Sequence, residues 1–209
     1  MKSTKFLTIL AVTSLLFTSC KEGKKETETP AIEAVEATSS FIIKPEATSV
    51  KWTAFKTTDK VPVGGEFATL NFESKSGATP EEALNNLEFS IPVSSLFTKD
   101  DTRDAKLKAS FFGAMLDPEL IKGIITHTNG NYVAAITMNG VTADLPLDFN
   151  ITDERRVTMK ATMELKNWNA LGALETLNKV CLDLHKGADG VSKTWEDVEI
   201  VISTFLRDK

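Results

Sequence analysis

The clearest pattern in the chain is an alternation of apolar and polar residues at positions 131–149, "NYVAAITMNGVTADLPLDF". Side chains two residues apart lie on the same face of a β-strand. The apolar positions on one face are Tyr132, Ala134, Ile136, Met138, Val141, Ala143, Leu145, Leu147 and Phe149. Asn139 and Gly140 interrupt the run, and both residues tolerate the positive φ of a tight hairpin turn. The stretch therefore predicts two antiparallel strands joined by a turn.

The same alternation recurs along most of the chain. In "VTMKATMEL" the inward positions are Val157, Met159, Ala161, Met163 and Leu165. Weaker runs lie near 48–56, 65–73, 87–94, 120–128 and 196–205. Pro92 predicts an edge or a bulge, because proline cannot donate a ladder hydrogen bond. The total of about eight strands predicts an all-β fold, an antiparallel sheet closed into a barrel with room for side chains or one small ligand.

Two stretches break the alternation and predict helices. In the first, at about 101–112 ("DTRDAKLKASFF"), Asp100, Asp101 or Thr102 can cap the first free amides. The second, at about 167–185, has a helical apolar stripe typical of core packing. The stripe consists of Trp168, Leu171, Leu174, Leu177, Cys181 and Leu184.

We expect the first helix to cap one end of the barrel, because an open apolar channel would admit water. Leu107, Phe111 and Phe112 would face the cavity, while Asp101, Lys106 and Lys108 stay in solvent. Arg103 and Asp104 would have a structural role, holding the start of the helix to neighbouring groups. The alternative is that "RDAKL" is only a connector with a solvated run of charges.

The first forty residues predict export and a tether. Lys2 and Lys5 precede an apolar run too short to span a bilayer, which indicates a signal peptide at 1–19. The sequence "LFTSC" resembles a bacterial lipobox, so Cys20 is the predicted lipidated residue, with an ordinary secretory signal as the alternative. Residues 20–40 cannot bury a core and predict a flexible tether. Residues 41–209 form the predicted barrel domain.

The net charge and the number of cysteines limit which binding partners and disulfide bonds the chain can have. Loss of Lys2 and Lys5 with the signal leaves 22 basic and 29 acidic residues, a net charge of −7. An acidic chain predicts no nucleic-acid partner, because phosphate binding requires clustered Lys and Arg. With Cys20 lipidated, Cys181 has no disulfide partner.

Residues for catalysis are few, and the sequence predicts no enzyme and no metal site. Cys181 and His185 lie four residues apart, a spacing that suits a thiol–imidazole pair or two metal ligands, but structural zinc needs about four ligands. We interpret them as a core Cys and a helix-end His. His127 is predicted at a strand end. Asp100 and Asp101 resemble a carboxylate pair, but adjacent acids before a helix are usually caps.

Four stretches resemble the YceI-like family of secreted lipocalin-fold proteins: "PVGGEFATLNF", "TRDAKLKASFFGAM", "ITMNGVTADLPLDF" and "DVEIVISTFL". The resemblance covers roughly residues 48–205. It implies an eight-stranded lipocalin-like antiparallel barrel around a long apolar tunnel, which in some members holds a polyisoprenoid. The long helical segment at 167–185 departs from the family pattern and could cover or fill one tunnel mouth.

These observations predict a cell-envelope lipoprotein, anchored in the bacterial outer membrane at its periplasmic or outer face, that carries a polyisoprenoid or acyl chain without another cofactor. The predicted ligand contacts are Trp52, Phe89, Phe111, Phe112, Ile136, Met138, Leu145, Met159 and Met163. The alternative is a non-catalytic envelope interaction or structural module with a filled barrel. Both alternatives are compatible with a homodimer.

Overall fold

The computed structural model describes residues 40–208. Its strands are β1 (Phe41–Ile43), β2 (Thr48–Lys56), β3 (Val61–Phe67), β4 (Lys75–Gly77), β5 (Leu87–Pro92), β6 (Leu96–Phe97), β7 (Leu120–Thr128), β8 (Asn131–Met138), β9 (Val141–Thr152), β10 (Arg156–Glu164) and β11 (Asp197–Phe205). Its α-helices are α1 (Pro80–Leu84), α2 (Asp101–Lys106) and α3 (Leu171–Val180). The short segments Pro45–Ala47, Val93–Ser95, Phe112–Ala114 and Leu165–Trp168 are 3-10 helical, and Leu107–Phe111 is π-helical.

Nine of these strands form one antiparallel sheet in the order β5-β7-β8-β9-β10-β11-β2-β3-β6. The sheet curves into a nearly closed barrel, whose inward side chains meet in one core. Strands β1 and β4 pair separately. The predicted antiparallel barrel is therefore confirmed, with β6, only two residues long, added to the eight predicted strands.

The barrel closes through the segment that runs from β5 to β6. Residues 87–92 pair with β7, and the chain then bends through Val93–Ser95. Leu96 and Phe97 pair instead with β3. Beside the bend, Asn71 and Ser90 exchange two backbone hydrogen bonds of 2.8 Å each. One segment thus changes partner and joins the two ends of the sheet, and Pro92 lies at its bend and not in a central ladder.

The strand after β2 differs from the prediction. The alternation suggested 65–73, whereas β3 is Val61–Phe67 and residues 68–74 make only the isolated bridge at Asn71. The turn into β3 contains Thr57 and Lys60, both with positive φ. Gly64 and Gly65 have no side chains to show which face is inward, so the pattern did not reveal where the strand begins.

The predicted hairpin turn at Asn139-Gly140 is present. Asn139 has φ 53° and Gly140 has φ 70°, the left-handed values that this turn requires. The Asn139 side chain accepts a 2.8 Å hydrogen bond from the Leu116 N–H and donates to the Trp168 carbonyl at 3.0 Å. The hairpin tip therefore holds two neighbouring connections in place.

Residues 101–114 form what we call the lid, which combines α2 with the π-helical and 3-10 segments that follow. Asp100 is its N-cap and accepts a 3.0 Å hydrogen bond from the Arg103 N–H. That hydrogen bond lowers the pKa of the Asp100 carboxyl. The predicted helix at about 101–112 is thus present, and of the three candidate caps the structure selects Asp100.

Asp104 anchors the lid to Thr98, the residue that follows β6. Its side chain is buried, and Oδ1 accepts hydrogen bonds from the Thr98 N–H at 2.9 Å and from the Thr98 hydroxyl at 2.6 Å. Arg103 is different, since its guanidinium is partly exposed and lies 3.5 Å from the Asp100 carboxylate. An exposed ion pair contributes little to stability, so Asp104 is the structural residue of the two.

The second predicted helix is observed in part, since α3 spans ten residues and the chain turns after Val180. Trp168, which precedes it, is fully buried, and its Nε1–H donates to the Ile136 carbonyl at 2.9 Å. Within α3, Leu174 and Leu177 are buried, whereas Leu171 is exposed. Leu184 lies beyond the helix and is exposed, so the stripe ends sooner than the sequence suggests.

Replacing Asp104 with Ala is expected to lower the free energy of unfolding by about 1–3 kcal/mol, because the buried Thr98 N–H and hydroxyl lose their acceptor. Urea denaturation of the purified domain measures the change. Asp101→Ala is the matched control, since Asp101 is exposed on the same helix and its removal is expected to change stability by less than about 0.5 kcal/mol. Equal stability of Asp104→Ala and the wild type would contradict this role.

Candidate functional site

The barrel encloses an apolar cavity. The space that the centre of a water molecule can occupy within it is about 160 Å³. Its wall combines inward side chains of the barrel strands with residues from the lid, from α3 and from the connections. No Lys, Arg, His, Asp or Glu lies among the described wall residues. The arrangement can hold an apolar molecule but offers no charged group to one.

The structure brings all nine sequence-predicted contact residues together on this wall. They are Trp52, Phe89, Phe111, Phe112, Ile136, Met138, Leu145, Met159 and Met163. Ala134 lines the cavity as well, whereas Ala143 packs against the core without belonging to the wall. That these residues contact a ligand stays a prediction.

The lid contributes an aromatic pair to one part of the wall. The rings of Phe111 and Phe112 meet edge to face, with their centroids 5.0 Å apart. The ring of Phe67 also meets Phe112 edge to face, with a distance of 6.5 Å between the centroids. Leu107 lines the cavity beside them. Asp101 is exposed as expected, whereas Lys106 and Lys108 are half-buried. Adjacent residues of an ordinary α-helix diverge by about 100°, and burial of both phenyl rings coincides here with the π-helical turn.

Helix α3 and the connection to β11 cover another part of the cavity. Leu174 and Leu177 reach its wall, together with Thr194 and Trp195. Helix α3 therefore supplies part of the lining of the cavity.

The indole ring of Trp52, a residue of β2, extends over the neighbouring strand β3. Its backbone partner in β3 is Gly65. A Cβ added at Gly65 would lie 2.7 Å from Cε2 of the indole and 2.9 Å from Cγ2 of Thr98. The absence of a side chain at Gly65 therefore provides the space that the Trp52 ring occupies.

Several wall residues were missing from the sequence prediction. Leu70 and Phe72 lie on the wall although they follow β3, and Trp195 reaches it from the connection before β11. The alternation "LNF" at 70–72 is a signal for the first two. No comparable signal exists for Trp195, which lies outside the strands.

Leu87 and Phe89 also line a second, open cleft of about 1050 Å³, outside β5 and β7. Lys75, Lys122 and Glu88 contribute charged groups to this cleft. The apolar cavity thus approaches a polar surface at β5.

The candidate catalytic residues Cys181, His185 and His127 are buried or half-buried. Cys181 is buried, and His185 Nδ1 lies 2.7 Å from the Thr194 hydroxyl, while burial lowers the pKa of the imidazole. His127 stacks on Tyr132 with ring centroids 4.4 Å apart, and burial raises the pKa of the Tyr132 phenol to about 12.

Neither a metal site nor a membrane helix is seen between residues 40 and 208. No group of three or more His, Cys, Asp or Glu side chains there is placed to bind a metal ion. No helix in this part of the chain is long and apolar enough to cross a membrane. Cys20 and the predicted signal and tether lie outside the described residues.

Comparison with known proteins identifies relatives of the whole domain. The family model described as YceI-like domain matches residues 41–205. A polyisoprenoid binding domain from Saccharophagus degradans, implicated in plant cell wall breakdown, has a similar structure. It is 12% identical, the match covers 81% of this chain and 98% of that one, and the TM-score is 0.59. BcnA from Burkholderia cenocepacia is 16% identical over 78% of this chain and 98% of its own, with a TM-score of 0.50. No curated protein matches the chain.

Gly65→Ala is expected to lower the free energy of unfolding by about 1–3 kcal/mol, because the added methyl group overpacks against the Trp52 indole. Gly64→Ala is the matched control on the same strand, since its nearest contact would be an ordinary 3.6 Å to the Trp52 carbonyl oxygen. Its expected change is within about 0.5 kcal/mol. Denaturant titration of both variants tests the pair, and equal destabilisation would show that the indole does not depend on Gly65.

Proposed function

This chain belongs to the YceI-like family, and on that premise we propose that it binds one long apolar molecule, a polyisoprenoid or an acyl chain, inside the barrel. The observation that carries the proposal is the composition of the cavity wall. Its described residues are almost entirely apolar, and none of them is charged. Each CH₂ group transferred from water to such a wall contributes roughly 0.8 kcal/mol. Affinity then increases with chain length and requires few polar contacts.

The kind of ligand is supported by a structural relative. The domain from Saccharophagus degradans, with the same fold, is described as polyisoprenoid binding. The wall of this chain adds three methionines, Met138, Met159 and Met163, whose flexible side chains can adapt to a ligand of varying thickness. A thin, flexible chain of repeated apolar units suits a wall of this kind.

We further propose that the protein is an exported lipoprotein, anchored through Cys20 in the bacterial outer membrane. The support is the apolar run that ends in "LFTSC" and the polar segment after it. If residues 20–40 act as the tether that the sequence predicts, they would reach roughly 25 Å root-mean-square, enough to hold the barrel next to the membrane surface. Such an anchor would place the barrel where lipids enter and leave the bilayer.

Our proposal does not include catalysis. Cys181 and His185 do not face the cavity, and Thr194 binds His185. Binding without chemistry agrees with a wall that lacks titratable groups among the described residues.

The cavity volume favours a second candidate, an envelope interaction module whose barrel is filled by its own side chains. A cavity near 150 Å³ accommodates a molecule about as large as benzene, and the volume here is about 160 Å³. A long chain can therefore enter only if wall side chains move. Mass spectrometry of an organic extract from natively purified protein separates the candidates. A long-chain lipid in stoichiometric amount supports the carrier, and a ligand-free extract supports the filled barrel.

Narrowing the cavity is expected to weaken binding. Ala134 is 1% exposed and lines the wall, so Ala134→Phe should reduce the affinity for a fluorescent fatty-acyl or polyprenyl probe at least tenfold, a cost of about 1.4 kcal/mol or more. Thr162→Phe is the control, because Thr162 is exposed on β10. Melting curves establish that both variants fold. Probe binding equal to the wild type in a folded Ala134→Phe protein would contradict the carrier function.

Cys20→Ser is expected to release the protein from membranes, because the variant has no thiol to carry the diacylglycerol. Membrane fractionation and metabolic labelling with palmitate measure anchoring, and Cys181→Ser, which alters a buried cysteine, is the control that should keep its label. A wild-type protein that carries no label would contradict lipidation.

A further inference from the structure

Four apolar side chains line both the enclosed cavity and the open cleft outside β5 and β7: Leu70, Phe72, Leu87 and Phe89. The first two belong to residues 69–74, which we call the strap, and the other two belong to β5. One layer of side chains therefore separates the apolar interior from the cleft at this place. We infer that this layer is the entry portal of the barrel, through which the ligand passes when the strap moves away from β5. The inference rests on the proposed function.

The strap is fixed at both of its ends. Before it, the Ala68 N–H donates to the Ser95 carbonyl at 2.9 Å. After it, Lys75 begins β4, which pairs with β1, and the Lys75 ammonium donates to the Asn85 carbonyl. The six residues between these anchors can therefore swing outward as a loop while their ends stay in place.

A single bridge holds the middle of the strap to β5. It consists of the two 2.8 Å backbone hydrogen bonds between Asn71 and Ser90. No hydrogen bond joins residues 72–74 to β5 in the part of the chain that the structure describes. On its other side, β5 pairs with β7 along its whole length, Leu87–Pro92. Opening the portal thus breaks two hydrogen bonds and leaves the ladders of the barrel intact, which is the kind of local opening that requires little free energy.

The backbone of Glu88 shows that the strap and β5 are already apart beside the bridge. Successive residues of an antiparallel strand direct their N–H and C=O groups to opposite sides. The groups of Ser90 face the strap, so those of Glu88, two residues earlier, face it too. Glu88 lines the cleft, and no backbone hydrogen bond joins it to the strap among the described residues. The pairing therefore ends at one bridge, and the cleft begins next to it.

The lid offers a less favourable route into the barrel. Its start is held by the buried Asp104 carboxylate, which accepts two hydrogen bonds from Thr98. Beyond its end, the Leu116 N–H donates to the Asn139 side chain. Hydrogen bonds to an ionised group are about twice as strong as those between neutral groups. Entry past the lid would have to separate such contacts, whereas entry at the strap separates one neutral backbone bridge.

A disulfide across the portal tests the inference. The Cα atoms of a bridged antiparallel pair such as Asn71 and Ser90 lie about 5.5 Å apart, within the range that a disulfide spans. Asn71→Cys and Ser90→Cys are combined in the full chain with Cys20→Ser, which removes the thiol of the predicted anchor. Oxidation is expected to slow both association and release of a fluorescent fatty-acyl probe by roughly tenfold or more and to leave Kd unchanged, because a closed portal delays passage in both directions alike. Stopped-flow fluorescence measures both rates, and reduction with dithiothreitol should restore them.

Thr158→Cys with Ser203→Cys is the matched control for the disulfide. These residues are register partners in the β10–β11 ladder, and neither lines the cleft. A disulfide there should leave both rates as they are in the reduced protein. If the oxidised portal variant exchanges the probe as fast as its reduced form, the portal is wrong while the apolar carrier function stands. If the wild type never binds the probe, the proposed function itself fails.

Phe72→Ala tests the portal in the opposite direction and does not depend on a disulfide. Loss of this ring thins the layer between cavity and cleft, so the association rate of the probe is expected to rise about threefold or more. Phe67→Ala is its control, because Phe67 lines the cavity but not the cleft. That variant should alter release of the probe without faster association. Melting curves establish that both variants fold, and an unchanged association rate in folded Phe72→Ala protein would contradict entry at the strap.

Discussion

Closure of the barrel depends on one segment, residues 87–97, that exchanges one strand partner for another. Its first half completes the ladder with β7, and its last two residues pair with β3. An open sheet of the same strands would expose its apolar face, and the cavity would be a groove in contact with water. The enclosed interior, and with it any affinity for an apolar molecule, follows from this change of partner.

The same segment positions the lid. Thr98 comes directly after β6, and it supplies both donors that bind the buried Asp104 carboxylate. The polar contact lies at the start of the lid, whereas Phe111 and Phe112 enter the cavity near its end. Beyond the lid, the Leu116 N–H binds Asn139 at the hairpin tip. Hydrogen bonds at both ends thus help to fix where the phenyl rings lie, and the rings form part of the apolar wall.

Residues whose role depends on strand periodicity could be predicted from the sequence. Met138, Leu145 and Met159 were placed on the cavity wall because a period of two leaves only two faces to choose between. Arg103 and Asp104 could not be distinguished in this way, since their burial depends on Thr98, a neighbour in space. Leu96 and Phe97 form a strand too short to show a pattern.

The pairing of β2 with β11 has a consequence for how the chain folds. Trp52 lies opposite Ile200, so this ladder joins residues almost the full length of the domain apart. The strands β7 to β10 each pair with the next along the chain and close short loops, which costs less entropy than the long one. We expect the hairpins to form early and the β2–β11 ladder to form late, so the interior is complete only when strands from the two ends of the domain have met.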